Sequence, residues 1–322
     1  MAAYAGYTIP DSGEGDNDIQ SGWYQGDIEI LMAGLQGVDC VLSGLAMTGG
    51  TDMTPDVAKG AVLTNGVLKP VAAASVTVTA ADATNPRIDY VVVTSSGALA
   101  VRAGTAAAAP LPPALTANDV VIAQIYVGAN DTSIGQSQIK DRRVFRTQGP
   151  IVIAKSTTPV TQNTLATIFT LASVTIPSGL FLSGKILRMR LAGNYLSNSG
   201  APTWTFTISY GGTTFFADAT AATTADADRG SWGLDFLLYA TGDATQRLDG
   251  HLRFQSPGAK NAPTAGTAGD LATVADVNAP FNFTGGAVDS DAANRILLVQ
   301  CTMSVSNAAV ETVLDGYTLE LL

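Results

Sequence analysis

The sequence predicts an all-β protein in three parts: an extended acidic arm over residues 1–27, a β-rich module over 28–148 and an antiparallel β-sandwich over 149–322. Apolar runs are of strand length, and many alternate with polar residues. Gly, Pro, Asn, Asp and Ser clusters separate them at short intervals, and helical apolar spacing is almost absent. No unit repeats at a fixed period, so a solenoid or propeller is not expected.

Residues 1–27 (MAAYAGYTIPDSGEGDNDIQSGWYQGD) are rich in Gly, Asp and Ser with isolated aromatics, the composition of an arm that folds onto a partner. From Ile28 the text changes to IEILMAG and VDCVLSGLAMTGG, apolar runs broken by Gly. AVLTNGVLKPV sets Asn65-Gly66 between two apolar arms, the signal of a hairpin whose type I′ turn needs positive φ at both central residues. VTVTA, Val76 to Ala80, alternates as a half-buried strand does. In NPRIDYVVVTSSGALAVRAG, Pro86 stiffens the entry and pushes Asn85 out of the helical region, so a strand starts there and turns back at Ser95-Ser96-Gly97. Along it Arg87, Asp89 and Val91 share one face, and Ile88, Tyr90 and Val92 the other.

The connection Thr105–Asp119 holds Pro110, Pro112 and Pro113, which forbid a regular ladder and favour a stiff crossing. VVIAQIYVGA restores a strand, QIKDRRVF closes the module near Phe145, and Gly149-Pro150 marks the boundary. Beyond it ATIFTLASVTI, GKILRMRLAG, TWTFTISYGG, SWGLDFLLYA, RLDGHLRFQ, NRILLVQCTMSV and DGYTLELL read as strands. In the second of these, Leu187, Met189 and Leu191 face one side while Arg188 and Arg190 face the other.

Of the 322 residues 46% are hydrophobic and 14% charged, against about 25% charged in ordinary soluble domains. Small neutral residues must keep the surface compatible with water, which suits a surface partly hidden against neighbours. The net charge is −10 and unevenly placed: no Lys or Arg precedes Lys59, whereas Asp11, Glu14, Asp16, Asp18, Asp27, Glu29, Asp39, Asp52 and Asp56 all do. Nucleic acid is therefore not an expected partner, since its binding rests on clustered cations. No apolar run approaches the length of a membrane span, and no cation precedes an apolar stretch at the N-terminus; neither membrane insertion nor secretion is expected, and assembly in the cytoplasm is. Cys40 and Cys301 lie in apolar contexts and read as buried thiols instead of a disulfide.

No catalytic set, cofactor or metal site is expected. Gly179–Lys185 has the spacing of a phosphate-cradling loop, but Ile186 stands where Ser or Thr would bind magnesium, bulky residues fill the loop and a strand follows. His251, the single histidine, has neither the companions of a zinc site nor a nucleophile in a suitable context. Asp11, Glu14, Asp16 and Asp18 could gather around calcium but do not match the twelve-residue helix-loop-helix spacing, and acidic flexible arms are common. Asp218, Asp226, Asp228, Asp235 and Asp249 could supply paired carboxylates for glycan hydrolysis, yet the chain is poor in the aromatics a sugar groove uses. The basic cluster Lys140–Arg146 beside the boundary reads as a place for salt bridges between domains or subunits: Asp141, Arg142 and Arg143 are the expected contacts, with Arg87 and Asp89 pairing with each other or with them.

From about Val41 to Phe145 the series VLSGLAMT, the NGV hairpin with AAASVTVTA, NPRIDYVVV…SGALAVRAGT, the Ala/Pro stretch, VVIAQIYV and IKDRRVF resembles the N-terminal attachment module of tailed-bacteriophage virion proteins. The stretch TIPSGLFLSGKILRMRLAGNYLSNSGAPTWTFTISYGGTTFF is similar to jelly-roll domains at the ends of phage fibres and appendages. The resemblance implies a non-enzymatic structural protein of the virion. It would be a homotrimeric tail fibre or baseplate appendage, anchored on other tail, baseplate or capsid proteins and exposing a jelly roll to a host surface glycan or protein. The shaft of a long fibre is missing between the halves, which favours a compact appendage. A capsid decoration protein or head fibre is the alternative, and a glycan depolymerase the third. The loops expected to meet the host are Asn194–Pro202, Asp218–Arg229 and Pro257–Pro280, because loops on a rigid sandwich tolerate variation.

Overall fold

The computed structural model describes residues 39–145, 149–163, 168–223, 225–255 and 276–322. The predicted arm with its acidic cluster, the run at Ile28, Arg146 and most of the Pro257–Pro280 loop lie outside the described residues. The chain divides into two compact units, Met1–Gln148 with Ser178–Leu180, and Gly149–Pro177 with Phe181–Leu322.

In the first unit β1 (Cys40–Gly44), β4 (Gly60–Thr64) and β5 (Val67–Val71) form one antiparallel sheet, and β2 (Met47–Thr48), β3 (Asp56–Val57) and β6 (Ala74–Ser75) a second, small one. The β4–β5 hairpin turns at Asn65 and Gly66 with φ of 49° and 72°, as a type I′ turn requires. The Asp39 carboxylate steadies it by accepting the Asn65 N–H at 2.7 Å. Val76 and Val78 are buried between exposed neighbours, as their alternation suggests, yet no ladder continues through them. Their N–H groups donate instead to the carbonyls of Pro55 and Met53.

A third sheet holds β7 (Arg87–Val93), β8 (Leu99–Arg102), β9 (Val120–Val127) and β10 (Ile139–Asp141) in the order β10-β9-β7-β8. Every residue of β7 is buried. Val91 and Val93 pack with Ile122 and Ile125 in one cluster, and Tyr90 and Val92 with Val121 in another. The unbroken run IDYVVV is therefore a strand covered on both faces.

The second unit contains β11 (Ile151–Ser156), β12 (Val160–Asn163), β13 (Phe169–Ile176), β14 (Ile186–Ser197), β15 (Trp204–Tyr210), β16 (Thr213–Ala219), β17 (Asp226–Gly242), β18 (Thr245–Gln255), β19 (Asp276–Gly286), β20 (Arg295–Met303) and β21 (Val310–Leu321). The larger sheet runs β11-β21-β14-β17-β18-β19, with β12 also on β21; the smaller runs β13-β20-β15-β16. Along the chain β11–β12, β14, β17–β19 and β21 fall in the larger sheet and β13, β15–β16 and β20 in the smaller, the order of a jelly roll in which the β18–β19 pair widens the larger sheet. Trp204 and Phe206 of the smaller sheet meet Tyr195, Trp232 and Phe254 of the larger. Ring centroids lie 4.7 Å apart for Tyr195–Trp204 and 5.2 Å for Phe206–Trp232. Two strand glycines make room for these rings: a Cβ at Gly193 would stand 2.5 Å from the Trp232 ring, and one at Gly230 2.4 Å from the Tyr195 ring.

Cys40 and Cys301 are both buried and unbridged. Burial pushes the Cys301 thiol up to about 12, with hydrogen bonds from Thr312 and Thr302 pulling the other way. Neither thiol should react with an aromatic disulfide in the folded chain, and both should react in denaturant. Rapid labelling of the native protein would contradict this placement.

Candidate functional site

All five residues expected at contacts make hydrogen bonds or ion pairs within the first unit. The Arg87 guanidinium donates to Asp89 at 3.0 Å, to the carbonyl of Ala80 at 2.8 Å and to that of Thr79. The Asp89 carboxylate also accepts the Gly104 N–H at 2.9 Å. Arg87 and Asp89 are 5% and 0% exposed, so the pair pins two irregular connectors, 79–80 and 104, onto β7. Burial pushes the Asp89 carboxyl above its ordinary range, against the Gly104 N–H and the Arg87 charge, which hold it down.

Arg87 pairs with Asp89 and not with Asp141, because β9 stands between β7 and β10. Asp141 takes Arg143 at 2.6 Å, and the adjacent guanidinium holds its carboxyl below the ordinary range. Arg143 also donates to the Gly44 carbonyl at 2.8 Å and lies over the Phe145 ring. Arg142 donates to the Gln124 side chain at 2.6 Å. Neither the alternation of β7 nor the composition of the basic cluster could reveal the backbone partners, which depend on where the connectors return.

Among the described residues, no group of three or more His, Cys, Asp or Glu side chains is placed to hold a metal ion. No described helix is long and apolar enough to cross a membrane. Gly179–Lys185 forms turns that lead into β14, and no helix N-terminus follows to receive a phosphate. His251 is exposed on β18, opposite Asp235 on one side and Pro280 on the other. It shares a shallow depression with Asp235, Leu237, Asp249 and Arg253. Asp235 is paired with Arg190 at 3.2 Å and Asp249 with Arg247 at 2.8 Å, so both carboxylates have cationic partners.

The two described loops chosen from sequence, β14–β15 and β16–β17, share one end of the sandwich with the β20–β21 loop: β14, β16 and β20 finish there, and β15, β17 and β21 begin there. The strands reach further into these stretches than expected. Asn194–Ser197 belong to β14, Asp218–Ala219 to β16, Asp226–Arg229 to β17 and Asp276–Pro280 to β19. Hydrogen bonds lace the described parts together: Thr223 N–H donates to the Pro202 carbonyl at 3.0 Å, Asn198 N–H to that of Ala309 at 2.9 Å, and Asn307 to Ser199 at 3.1 Å.

The two outer faces of the sandwich differ in kind. The larger sheet presents ion pairs, Arg188 with Glu320, Arg190 with Asp235 and Arg229 with Glu311. The smaller sheet presents neutral rows. One row reads Ser173, Leu298, Ser209 and Thr214; the next Thr170, Gln300, Thr207 and Ala217; flanking positions are Thr175 with Ile296, and Thr302, Thr205 and Ala219. Their neighbours along each strand, such as Phe206, Ile208, Val299 and Cys301, are in the core, so these positions point outward.

No family model matches the chain, and no curated protein matches it in sequence. Among solved structures it is similar to the particle of infectious bursal disease virus Gx strain, at 12% identity over 91% of this chain and 86% of that one, with a TM-score of 0.23. The VP2 subviral particle of the same virus aligns at 11% identity over 89% and 68%, TM-score 0.28. The CBM2 module of the evolved Dit of Lactobacillus casei BL23 phage J-1 aligns at 10% identity over 46% and 67%, TM-score 0.17. These neighbours are virus and phage proteins. The fold class of this chain is given by its own strand order.

Proposed function

We propose that the chain is a structural part of a tailed-phage virion, a homotrimeric tail fibre or baseplate appendage anchored through its first unit and exposing the jelly roll. The observation that carries this reading is the succession in one chain: a β-unit bearing the phage-like word series from Val41 to Phe145, then a sandwich in jelly-roll order. Its action is adhesive and non-enzymatic. Backbone pairing and apolar burial serve the anchor, and polar contacts to a host surface glycan or protein serve the loop end formed by 198–203, 220–225 and 304–309.

Gold-labelled antibody on intact particles, viewed by electron microscopy, tests this reading. Signal at the tail tip is expected. Signal over the head would replace the appendage with a capsid decoration protein or head fibre, and absence from purified particles would overturn a virion role. Shortened products after incubation with host surface glycan would overturn the non-enzymatic reading.

A further inference from the structure

We infer that the neutral outer face of the smaller sheet is the surface through which copies of this chain meet; the inference rests on the self-assembly part of the reading above. In a chain with 27 acidic against 17 basic residues, copies repel wherever carboxylates face each other. The register of β13, β20, β15 and β16 brings together a face on which no outward residue carries a charge. The other outer face is held by ion pairs.

The chemistry of the neutral face selects its occupant. Thr and Ser hydroxyls and the Gln300 amide both donate and accept, so such a face is complementary to another of the same composition without any opposing charge. Ile296, 49% exposed, and the half-buried Leu298 give it apolar area that water solvates poorly. A charged partner would find no counter-charge on it. A glycan would find no open ring to stack on: Phe216, at its margin, is already stacked on Phe281 with centroids 4.1 Å apart. A β-face of this kind, left bare, also lacks the charges that keep sheets from associating indiscriminately, which favours a fixed neighbour.

The test is the mass of the full-length chain in solution, read by sedimentation and light scattering at micromolar concentration for the wild type, Thr207→Lys, Thr175→Lys and His251→Lys. Thr175 lies on the outer strand of the sheet and is exposed, so its lysine can reach water without disturbing the core. Far-UV circular dichroism establishes that each variant is folded. The expected result is a trimer for the wild type and for His251→Lys, on the opposite face, with the other two variants falling about threefold to the 33.0 kDa of one chain. Variants that remain trimers would overturn the face while leaving self-assembly intact. A wild type of 33.0 kDa would overturn self-assembly itself. If, in addition, Thr207→Lys were lost from particles, the face would belong to a different virion protein, and contact between copies would be refuted.

Discussion

Arg87→Met is expected to destabilise the first unit by about 3–5 kcal/mol, the usual consequence of leaving one charge of a buried pair without its partner. Asp89 is wholly buried, and the variant would keep Gly104 N–H as its donor while losing the guanidinium. The carbonyls of Thr79 and Ala80 would be freed too, but both residues are exposed, so water can replace their donor. Amide exchange in β7 and β9, followed by mass spectrometry, should accelerate by roughly two to four decades if those amides open with the whole unit. Adding Asp89→Asn removes the stranded charge and keeps an acceptor for Gly104, so the double variant should recover much of the loss. The pH dependence has a definite sign. Burial already raises the Asp89 carboxyl, and removing Arg87 raises it further. An acid with a higher pKa folded than unfolded binds protons on folding, so the single variant loses stability as pH rises from the ordinary carboxylate range through the raised value and regains it on acidification. Exchange rates indifferent to the substitution would show that the pair is not structural.

The same pair shows how far the sequence could be read. That Arg87 and Asp89 flank a strand and share its face followed from Pro86 and the alternation; that their other partners are backbone groups at 79–80 and 104 did not, because those contacts are made by segments without regular structure. The Asn65-Gly66 turn is legible because its φ requirement is local, and β13, β14, β15, β17 and β18 because their inward residues are large and regularly spaced. β11, β12 and β16 are not legible: Pro159 lies between the first two, whose residues are half-exposed or exposed, and β16 sets Phe215 beside Phe216, so alternation marks none of them. β19 was hidden for a related reason. Its Phe281 and Phe283 alternate, but Gly, Pro and Ala surround them, so the sequence signals loop over part of the strand. The loop end was found in outline, since turn residues mark loops, and overestimated in length, since strand ends there carry Asn and Asp.

The contrast between the outer faces could not be read at all from one-dimensional alternation. A Thr in β13, one in β15 and a Gln in β20 are ordinary residues in their own strands. They become a continuous neutral surface because β20 pairs with both β13 and β15, placing Gln300 between Thr170 and Thr207. The charged face arises in the same way: Arg188 of β14 meets Glu320 of β21, 132 residues away in the chain. Jelly-roll order thus sorts the outward residues of distant segments onto two faces of opposite character, and leaves the connecting loops to a third surface at the end of the sandwich.

Trp204→Ala should have the larger effect on the second unit, about 3–5 kcal/mol for deleting a buried aromatic. Trp204 is 0% exposed and joins the two sheets, with its ring 4.7 Å from Tyr195 and 5.3 Å from Phe254. Its indole N–H donates to the Thr312 hydroxyl, which is itself buried, so the substitution removes packing area and leaves that hydroxyl short of a donor. Collapse cannot refill the space readily, because Gly193 and Gly230 are already filled by the rings of Trp232 and Tyr195. Thr312→Val separates the two contributions. It preserves shape, strands the indole N–H and removes the hydroxyl's contact with Cys301, for an expected loss of about 1–3 kcal/mol. Urea denaturation followed by far-UV circular dichroism would place both variants. A Trp204→Ala loss no greater than that of Thr312→Val would mean that the ring cluster is not what holds the two sheets together, and that the hydrogen bond alone accounts for the site.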